Sequence, residues 1–203
     1  MKDHLDLVIA GVGGQGNILL SRIVGETALR AGTDVRISEA FGAAQRGGAV
    51  LSHVRLGKSV SPVIPLGRAN ALLALEPGEA LRQSRFLRQD GLAVVNTKPI
   101  MPVEVLAGRA TYPPIDKIKE LMTRLTSNLF MTDAAKLAEQ AGDARTANMV
   151  MLGALDGCKI LPFQPHALEE SISIMVPKKM IDANLKAFEL GRASVSSNMQ
   201  MAN

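Results

Sequence analysis

An apolar run that passes through a glycine-rich turn into a helix-like segment most constrains the fold of this chain. Leu5 to Ala10 reads as a buried strand, the next six residues are Gly-Val-Gly-Gly-Gln-Gly, and Asn17 to Ala31 has apolar residues at helical spacing. Three of the glycines have the G-x-G-x-x-G spacing of phosphate-binding turns. Free N–H groups and the helix dipole favour an anion at such a turn. The alternative is a tight strand–helix turn that binds nothing.

The order of the remaining segments indicates an α/β fold. Further strands are predicted at 34–38, 49–56, 69–75, 92–96 and 128–132, with a turn at Asp90-Gly91. Helices are predicted at 79–87, 115–125, 133–141, 146–159, 165–174 and 177–190, and the proline-rich segment 98–114 is predicted to be mostly loop with one short strand. This alternation predicts a Rossmann-like three-layer sandwich with a mostly parallel sheet and C-terminal helices.

The chain is predicted to form a single domain over residues 1–192, with the helices of 146–192 packing on it or lying at an interface. The segment 146–159 is apolar nearly all round, which is typical of a helix buried in a large core or between subunits. Residues 193–203 are rich in Ser, Asn and Met and are predicted to be a flexible tail.

Composition excludes several classes of function. No apolar run approaches the roughly 20 residues that span a bilayer, and the polar N-terminus lacks a signal peptide, so a cytoplasmic protein without membrane contact is expected. The net charge of +4, the 3% of aromatic residues and the absence of Trp argue against nucleic-acid binding. One cysteine, Cys158, cannot by itself ligate an iron–sulfur cluster.

A second glycine-bearing loop follows the second predicted strand. It places Gln45 and Arg46 directly before Gly47 and Gly48. The arginine fork suits phosphate or carboxylate, and the glycines permit close backbone approach. If the strands lie side by side, both loops fall at the same carboxyl edge of the sheet, where ligands bind in α/β folds. Two alternatives are that Arg46 ties the loop to Glu39, and that both loops face a partner subunit.

Glu39 also bears on a nicotinamide-nucleotide site. It lies 23 residues after Gly16, near the place of the acid that holds the ribose in dinucleotide-binding folds. The second glycine loop, which ordinary NAD-binding units lack, argues against that interpretation.

The chain offers few groups for catalysis. His4, His53 and His166 have no neighbouring carboxylate at metal-ligand spacing, and His53 is predicted to have a structural role. No nucleophile elbow, zinc-protease motif or Walker lysine is present, and Cys158 is predicted to be a buried small hydrophobe. No catalytic residue and no metal ligand is therefore predicted, and the isolated chain is expected to be inactive.

The two loops together resemble a known family. Gly11-Val-Gly-Gly-Gln-Gly16, and Gln45-Arg-Gly-Gly48 leading into Ser52-His-Val-Arg55, are similar to the gamma-type subunit of the 2-oxoacid:ferredoxin oxidoreductases. The resemblance covers about residues 6–192. Later segments that also fit the family are Leu73-Ala-Leu-Glu-Pro77, Glu79-Ala-Leu-Arg82, Asn148-Met-Val-Met-Leu-Gly-Ala154, Val176-Pro-Lys-Lys179 and Asn184-Leu-Lys-Ala-Phe188. Within the family, the Gln-Arg-Gly-Gly and Ser-His-Val-Arg wording most resembles the beta subunit of the indolepyruvate members.

The resemblance implies the oxidative decarboxylation of an aryl 2-oxoacid to an acyl-CoA, with reduction of ferredoxin. Thiamine diphosphate, Mg²⁺ and iron–sulfur clusters are then expected on a catalytic alpha-type partner subunit, because this chain has no thiamine motif and one cysteine. Coenzyme A is a possible ligand of this chain. The candidate cofactor-binding residues are Gly11, Gly13, Gly14, Gln15, Gly16, Gln45, Arg46, Gly47 and Gly48.

Three other hypotheses stay open at the level of sequence. The chain can be a stand-alone NAD-type nucleotide-binding protein, although the catalytic acid or base of such an enzyme is missing. It can be the gamma subunit of a pyruvate or 2-oxoglutarate oxidoreductase. It can also be a scaffold whose glycine loops contact only protein.

Overall fold

A six-stranded sheet lies at the centre of the molecule in a computed structural model that describes residues 4–42 and 48–201, with side chains as far as residue 195. Its strands are β1 (Leu5–Val12), β2 (Val35–Phe41), β3 (Ala49–Leu56), β4 (Ala69–Ala74), β5 (Leu87–Asn96) and β6 (Leu129–Thr132). Every residue of β1 is buried, as its continuous apolar sequence predicts for a strand covered on both faces.

The strand order is β2-β3-β1-β4-β5-β6. β1, β4, β5 and β6 run parallel to one another, whereas β3 is antiparallel to both β1 and β2. The sheet is therefore mostly parallel, and the predicted α/β class is confirmed. β1 and β2 are not neighbours as a simple β-α-β unit would make them, because the chain turns back after β2 and β3 pairs between them.

Helices cover both faces of the sheet. They are α1 (Asn17–Arg30), α2 (Pro77–Gln83), α3 (Val103–Leu106), α4 (Ile115–Leu125), α5 (Ala134–Ala141), α6 (Ala147–Gly157), α7 (Ala167–Met175) and α8 (Ile181–Met201). One core cluster joins the sheet to α1, α5, α6, α7 and α8, and a second joins its other face to α2 and α4. The three-layer sandwich is thus confirmed. None of the described helices is long and apolar enough to cross a lipid bilayer.

Several local elements differ from their predictions. The 98–114 segment contains the helix α3 instead of a short strand, because the N–H groups of Val105 and Leu106 turn back to the carbonyl of Pro102. The predicted turn at Asp90-Gly91 is an irregularity within β5, where Asp90 has a φ of 57° and the register with β4 shifts. Helix α7 begins at Ala167, after His166 in a left-handed conformation, and not at Pro165.

The last helix is longer than predicted. α8 runs to Met201, so the backbone is helical well past Arg192, where a tail was predicted to begin. Val195 is 2% exposed and belongs to the main core cluster. The apolar helix α6 is buried within this core, and α8 crosses it.

Candidate functional site

The two glycine loops meet at the carboxyl edge of the sheet. The N–H of Gly13 donates to the carbonyl of Gly48 at 2.9 Å, directly beyond the pairing of Val12 with Ala49. The antiparallel β3 brings its own amino end to this edge, which is why the predicted meeting of the loops holds although β1 and β2 are not adjacent. A groove of about 530 Å³ lies between the loops, a volume within the usual range of ligand sites. Gln45, Arg46 and Gly47 lie outside the described residues.

The first turn of α1 opens onto this groove without a side-chain cap. Gly16 is the N-cap with a φ of 87°, a left-handed conformation that glycine adopts without penalty. No side chain accepts from the first N–H groups, and the first turn contains no acidic residue. Uncapped N–H groups at the positive end of a 14-residue helix suit an anion.

Asn17 adds an unpaired acceptor to the same groove. The residue is 2% exposed and lines the groove, and its Nδ2 donates to the carbonyl of Val50 at 3.1 Å. Its Oδ1 is buried and has no hydrogen-bond partner among the described residues. Because a buried acceptor without a partner is unfavourable, this atom points to a ligand with an N–H or O–H group.

Gln15 holds the loop in place with both ends of its amide. Its Oε1 accepts from the N–H of Val12 at 2.8 Å, and its Nε2 donates to the carbonyl of Leu75 at 2.8 Å. These bonds join the ends of β1 and β4, between which the connections of the sheet change direction. A Cβ on Gly11 would lie 2.7 Å from Gln15 Oε1, so glycine there makes room for the amide.

The other predicted residues of the first loop differ in exposure. Gly13 and Gly14 are exposed on the groove, whereas Gly16 packs against the side chain of Asn148 at the start of α6. The loop is therefore fixed between α6 and the sheet, and it leaves Gly13 and Gly14 exposed on the groove, with the N–H of Gly13 already donated to Gly48.

A buried polar cluster at the same edge has no counterpart in the predictions. Glu76, 2% exposed, caps α2 by accepting from the N–H of Glu79 at 2.8 Å, and it accepts from the hydroxyl of Tyr112 at 2.5 Å. Burial and this hydrogen bond raise the pKa of Tyr112 well above its ordinary value. The hydrogen bond from Tyr112 to Glu76, together with one from the N–H of Ile100 to Glu76, holds the 98–114 segment against the carboxyl edge of the sheet. The sequence signal for this cluster was Glu76 directly before Pro77, since proline is favoured at the first position of a helix and the residue before it is then the N-cap.

The histidines and the cysteine lie away from the loops. His53 is 4% exposed, its Nδ1 accepts from the N–H of Ile64 at 3.4 Å, and its ring packs edge-on against Phe86. Burial raises the pKa of the half-buried Cys158 thiol to about 11. Within residues 4–42 and 48–201, no group of three or more His, Cys, Asp or Glu side chains is placed to hold a metal ion.

Comparison with known proteins decides the family. The family described as pyruvate ferredoxin/flavodoxin oxidoreductase matches residues 6–194. The chain belongs to this family. Subunit IorB of the indolepyruvate oxidoreductase of Thermococcus kodakarensis is 44% identical over 94% of this chain and 95% of its own length. The IorB subunit of Archaeoglobus fulgidus is 42% identical over 93% of this chain and 94% of its own length.

Solved structures agree with the fold. The gamma subunit of a keto/oxoacid ferredoxin oxidoreductase from Geobacter sulfurreducens superposes with a TM-score of 0.68 at 26% identity, covering 95% of this chain and 99% of its own. The 2-oxoglutarate:ferredoxin oxidoreductase from Magnetococcus marinus superposes with a TM-score of 0.71 at 22% identity, covering 97% of this chain and 32% of that longer one. The predicted family is confirmed, and so is its similarity to the indolepyruvate members.

Proposed function

We propose that this chain is the small subunit of a ferredoxin-dependent oxidoreductase that acts on indolepyruvate or a related aryl 2-oxoacid. The observation that carries the proposal is the near full-length identity of 44% and 42% with two indolepyruvate oxidoreductase subunits. A pyruvate or 2-oxoglutarate enzyme is the less favoured alternative, since the 2-oxoglutarate synthase subunit KorC of Methanothermobacter thermautotrophicus is 29% identical. A free-standing NAD enzyme has no support from the family.

The overall reaction converts the 2-oxoacid, coenzyme A and two oxidised ferredoxins into acyl-CoA, CO₂, two reduced ferredoxins and a proton. Iron–sulfur clusters do not fit this chain, whose one thiol is half-buried and has a raised pKa, and its sequence has no motif for thiamine diphosphate. We assign them to a catalytic alpha-type partner subunit, from which ferredoxin receives electrons.

Coenzyme A fits the groove between the glycine loops. The uncapped N–H groups of α1 and the exposed peptide of Gly14 suit phosphate, and Asn17 Oδ1 suits a donor group of the same ligand. Arg46 is a further candidate for a phosphate from the second loop. Bound coenzyme A supplies the thiol that takes up the acyl group. The structure of the Magnetococcus marinus enzyme has coenzyme A bound.

A charge placed in the first turn of α1 tests this site. Ile18 is half-buried and lines the groove, and Ile18→Glu adds a negative charge where the helix dipole favours one, so the fold tolerates it. The same charge repels a phosphate. We expect coenzyme A to bind at least about tenfold more weakly to Ile18→Glu than to the neutral, equally large Ile18→Gln, measured by calorimetry on the intact complex.

Equal affinities of the two variants, together with unchanged binding in Arg46→Ala, would exclude the groove as the coenzyme A site and favour a scaffold role for the loops. The activity is tested separately. The complex isolated through a tag on this chain is assayed for ferredoxin reduction that requires both indolepyruvate and coenzyme A. Full activity of the chain without a partner would contradict the assignment.

A further inference from the structure

A second cleft lies at the amino edge of the sheet, opposite the glycine loops. Its volume is about 420 Å³, and it gathers the starts of three parallel strands, β1, β4 and β5, with the end of β3. The polar residues that line it are His4, Asp6, Arg55, Arg68, Asn70 and Arg88. β1 has eight residues, so roughly 25 Å of strand separates this cleft from the glycine groove.

The one carboxylate of the cleft is already paired. Asp6 is 3% exposed, and its two oxygens accept from Arg55 Nε at 2.7 Å and Nη2 at 3.1 Å. His4 Nε2 lies 2.8 Å from the same carboxylate. Arg55 also donates to the carbonyl of Ser61 at 3.0 Å, which fixes its fork. The buried negative charge therefore holds Arg55 in position and is not available to the other cations.

Arg68 and Arg88 have no such partner. Both are exposed, and neither guanidinium group forms a hydrogen bond or an ion pair with any residue in the part of the chain that the structure describes. Three guanidinium groups thus line one cleft with a single carboxylate, which leaves two positive charges uncompensated. His4 Nδ1 is also buried at this site without a hydrogen-bond partner among the described residues.

We infer that this cleft binds a small oxyanion, the phosphate or carboxylate group of a soluble metabolite. The planar fork of arginine pairs with either group through two parallel hydrogen bonds, and an anion between Arg68 and Arg88 relieves their mutual repulsion. The cleft is larger than one phosphate ion and has the volume of an ordinary metabolite site. This inference does not depend on the function proposed for the glycine loops.

Calorimetric titration of the full chain with inorganic pyrophosphate and, separately, with citrate tests the inference. We expect saturable binding of at least one of them, weakened about tenfold by Arg68→Gln or Arg88→Gln and more by both together. Arg55 is left unchanged because it neutralises the buried Asp6. Arg22→Gln is the matched control, since Arg22 is an exposed arginine on α1, outside this cleft, with no partner among the described residues.

The two probes distinguish the source of the anion. Binding of pyrophosphate that depends on Arg68 and Arg88 supports a phosphate ligand, and the same dependence with citrate supports a carboxylate ligand. The inference is overturned if neither anion binds saturably, or if the double variant binds as tightly as the wild type. Ile18→Glu should leave this binding unchanged, so the result is independent of coenzyme A at the opposite edge.

Discussion

At the scale of single residues, His53 makes stability depend on pH. Burial, and secondarily the charge of Arg55, lower the pKa of His53, while Asp6 opposes the shift. The unfolded chain therefore binds a proton at a pH where the folded chain does not. The neutral imidazole stabilises the fold above the unfolded pKa of about 6.5, and this contribution is lost as the pH falls.

His53→Asn removes this titration and keeps a side-chain acceptor for the N–H of Ile64. We expect the variant to be less stable near neutral pH, because it loses the contact with Phe86, and to lose less stability than the wild type between about pH 7.5 and about pH 5.5. Urea unfolding at both values measures the difference. His166→Asn is the control, since His166 is exposed and Asn tolerates its left-handed backbone. A wild type with equal stability at both values would contradict the argument.

The site shows which residue roles a sequence reveals. The glycine spacing predicted the turn at Gly11–Gly16, because tight turns require specific residues at specific offsets. It could not separate the roles of Gln15 and Asn17. Both ends of the Gln15 amide form hydrogen bonds, to Val12 and to Leu75, and Leu75 is 60 residues away in the sequence. The Oδ1 of Asn17, by contrast, is an unpaired acceptor at the groove. Such partners depend on strand order and leave no local signal.

At the scale of elements, the crossing of α6 and α8 depends on two glycines. A Cβ on Gly153 would clash with the carbonyl of Phe188, and one on Gly191 with the carbonyl of Val150. Backbone cannot move aside as a flexible side chain can. We expect Gly153→Ala to lower the free energy of unfolding by about 2 kcal/mol or more, despite the better helix propensity of Ala.

Gly25→Ala is the matched control within α1. Its Cβ would meet the terminal Cδ1 of Ile37, the far end of a flexible side chain that can change rotamer. We expect a change of less than about 1 kcal/mol there, since Ala gains helix propensity. Chemical denaturation measures the free energy of unfolding of both variants. An equally small loss for Gly153→Ala would show that α6 and α8 can move apart at little cost.

The bounds of helices and strands were easier to predict than which strands lie side by side in the sheet. The bounds of β3, α4 and α5 followed from alternation, amphipathic spacing and the Asp133 and Gly142 caps, all of which are local. The place of β3 between β1 and β2 is not local. The alternation of its residues would suit a strand at the edge of the sheet as well as one between β1 and β2. The observed position depends on pairing with Leu5–Val12, more than 35 residues earlier in the chain.

At the scale of the whole molecule, one sheet carries two separate polar sites at its opposite edges. The carboxyl edge has backbone N–H groups and an amide, and the amino edge has guanidinium groups. Sequence reasoning found the first because glycine loops have a recognisable pattern. It missed the second because Arg55, Arg68 and Arg88 lie on three different strands or their approaches, and their meeting depends on the sheet order.

Truncated chains can locate the C-terminal limit of the packed part of α8. Val195 is 2% exposed and would lie 3.1 Å from a Cβ on Gly157, so α8 still packs on α6 beyond Arg192. We expect a chain that ends at Arg192 to lose about 1.5–3 kcal/mol through the missing valine, a fall in Tm of roughly 5 °C. A chain that ends at Ser197 keeps Val195 and should melt with the full-length protein. Differential scanning calorimetry separates the two. Identical melting of both truncated chains would place the end of the packed domain at Arg192, with the tail predicted for 193–203 beyond it.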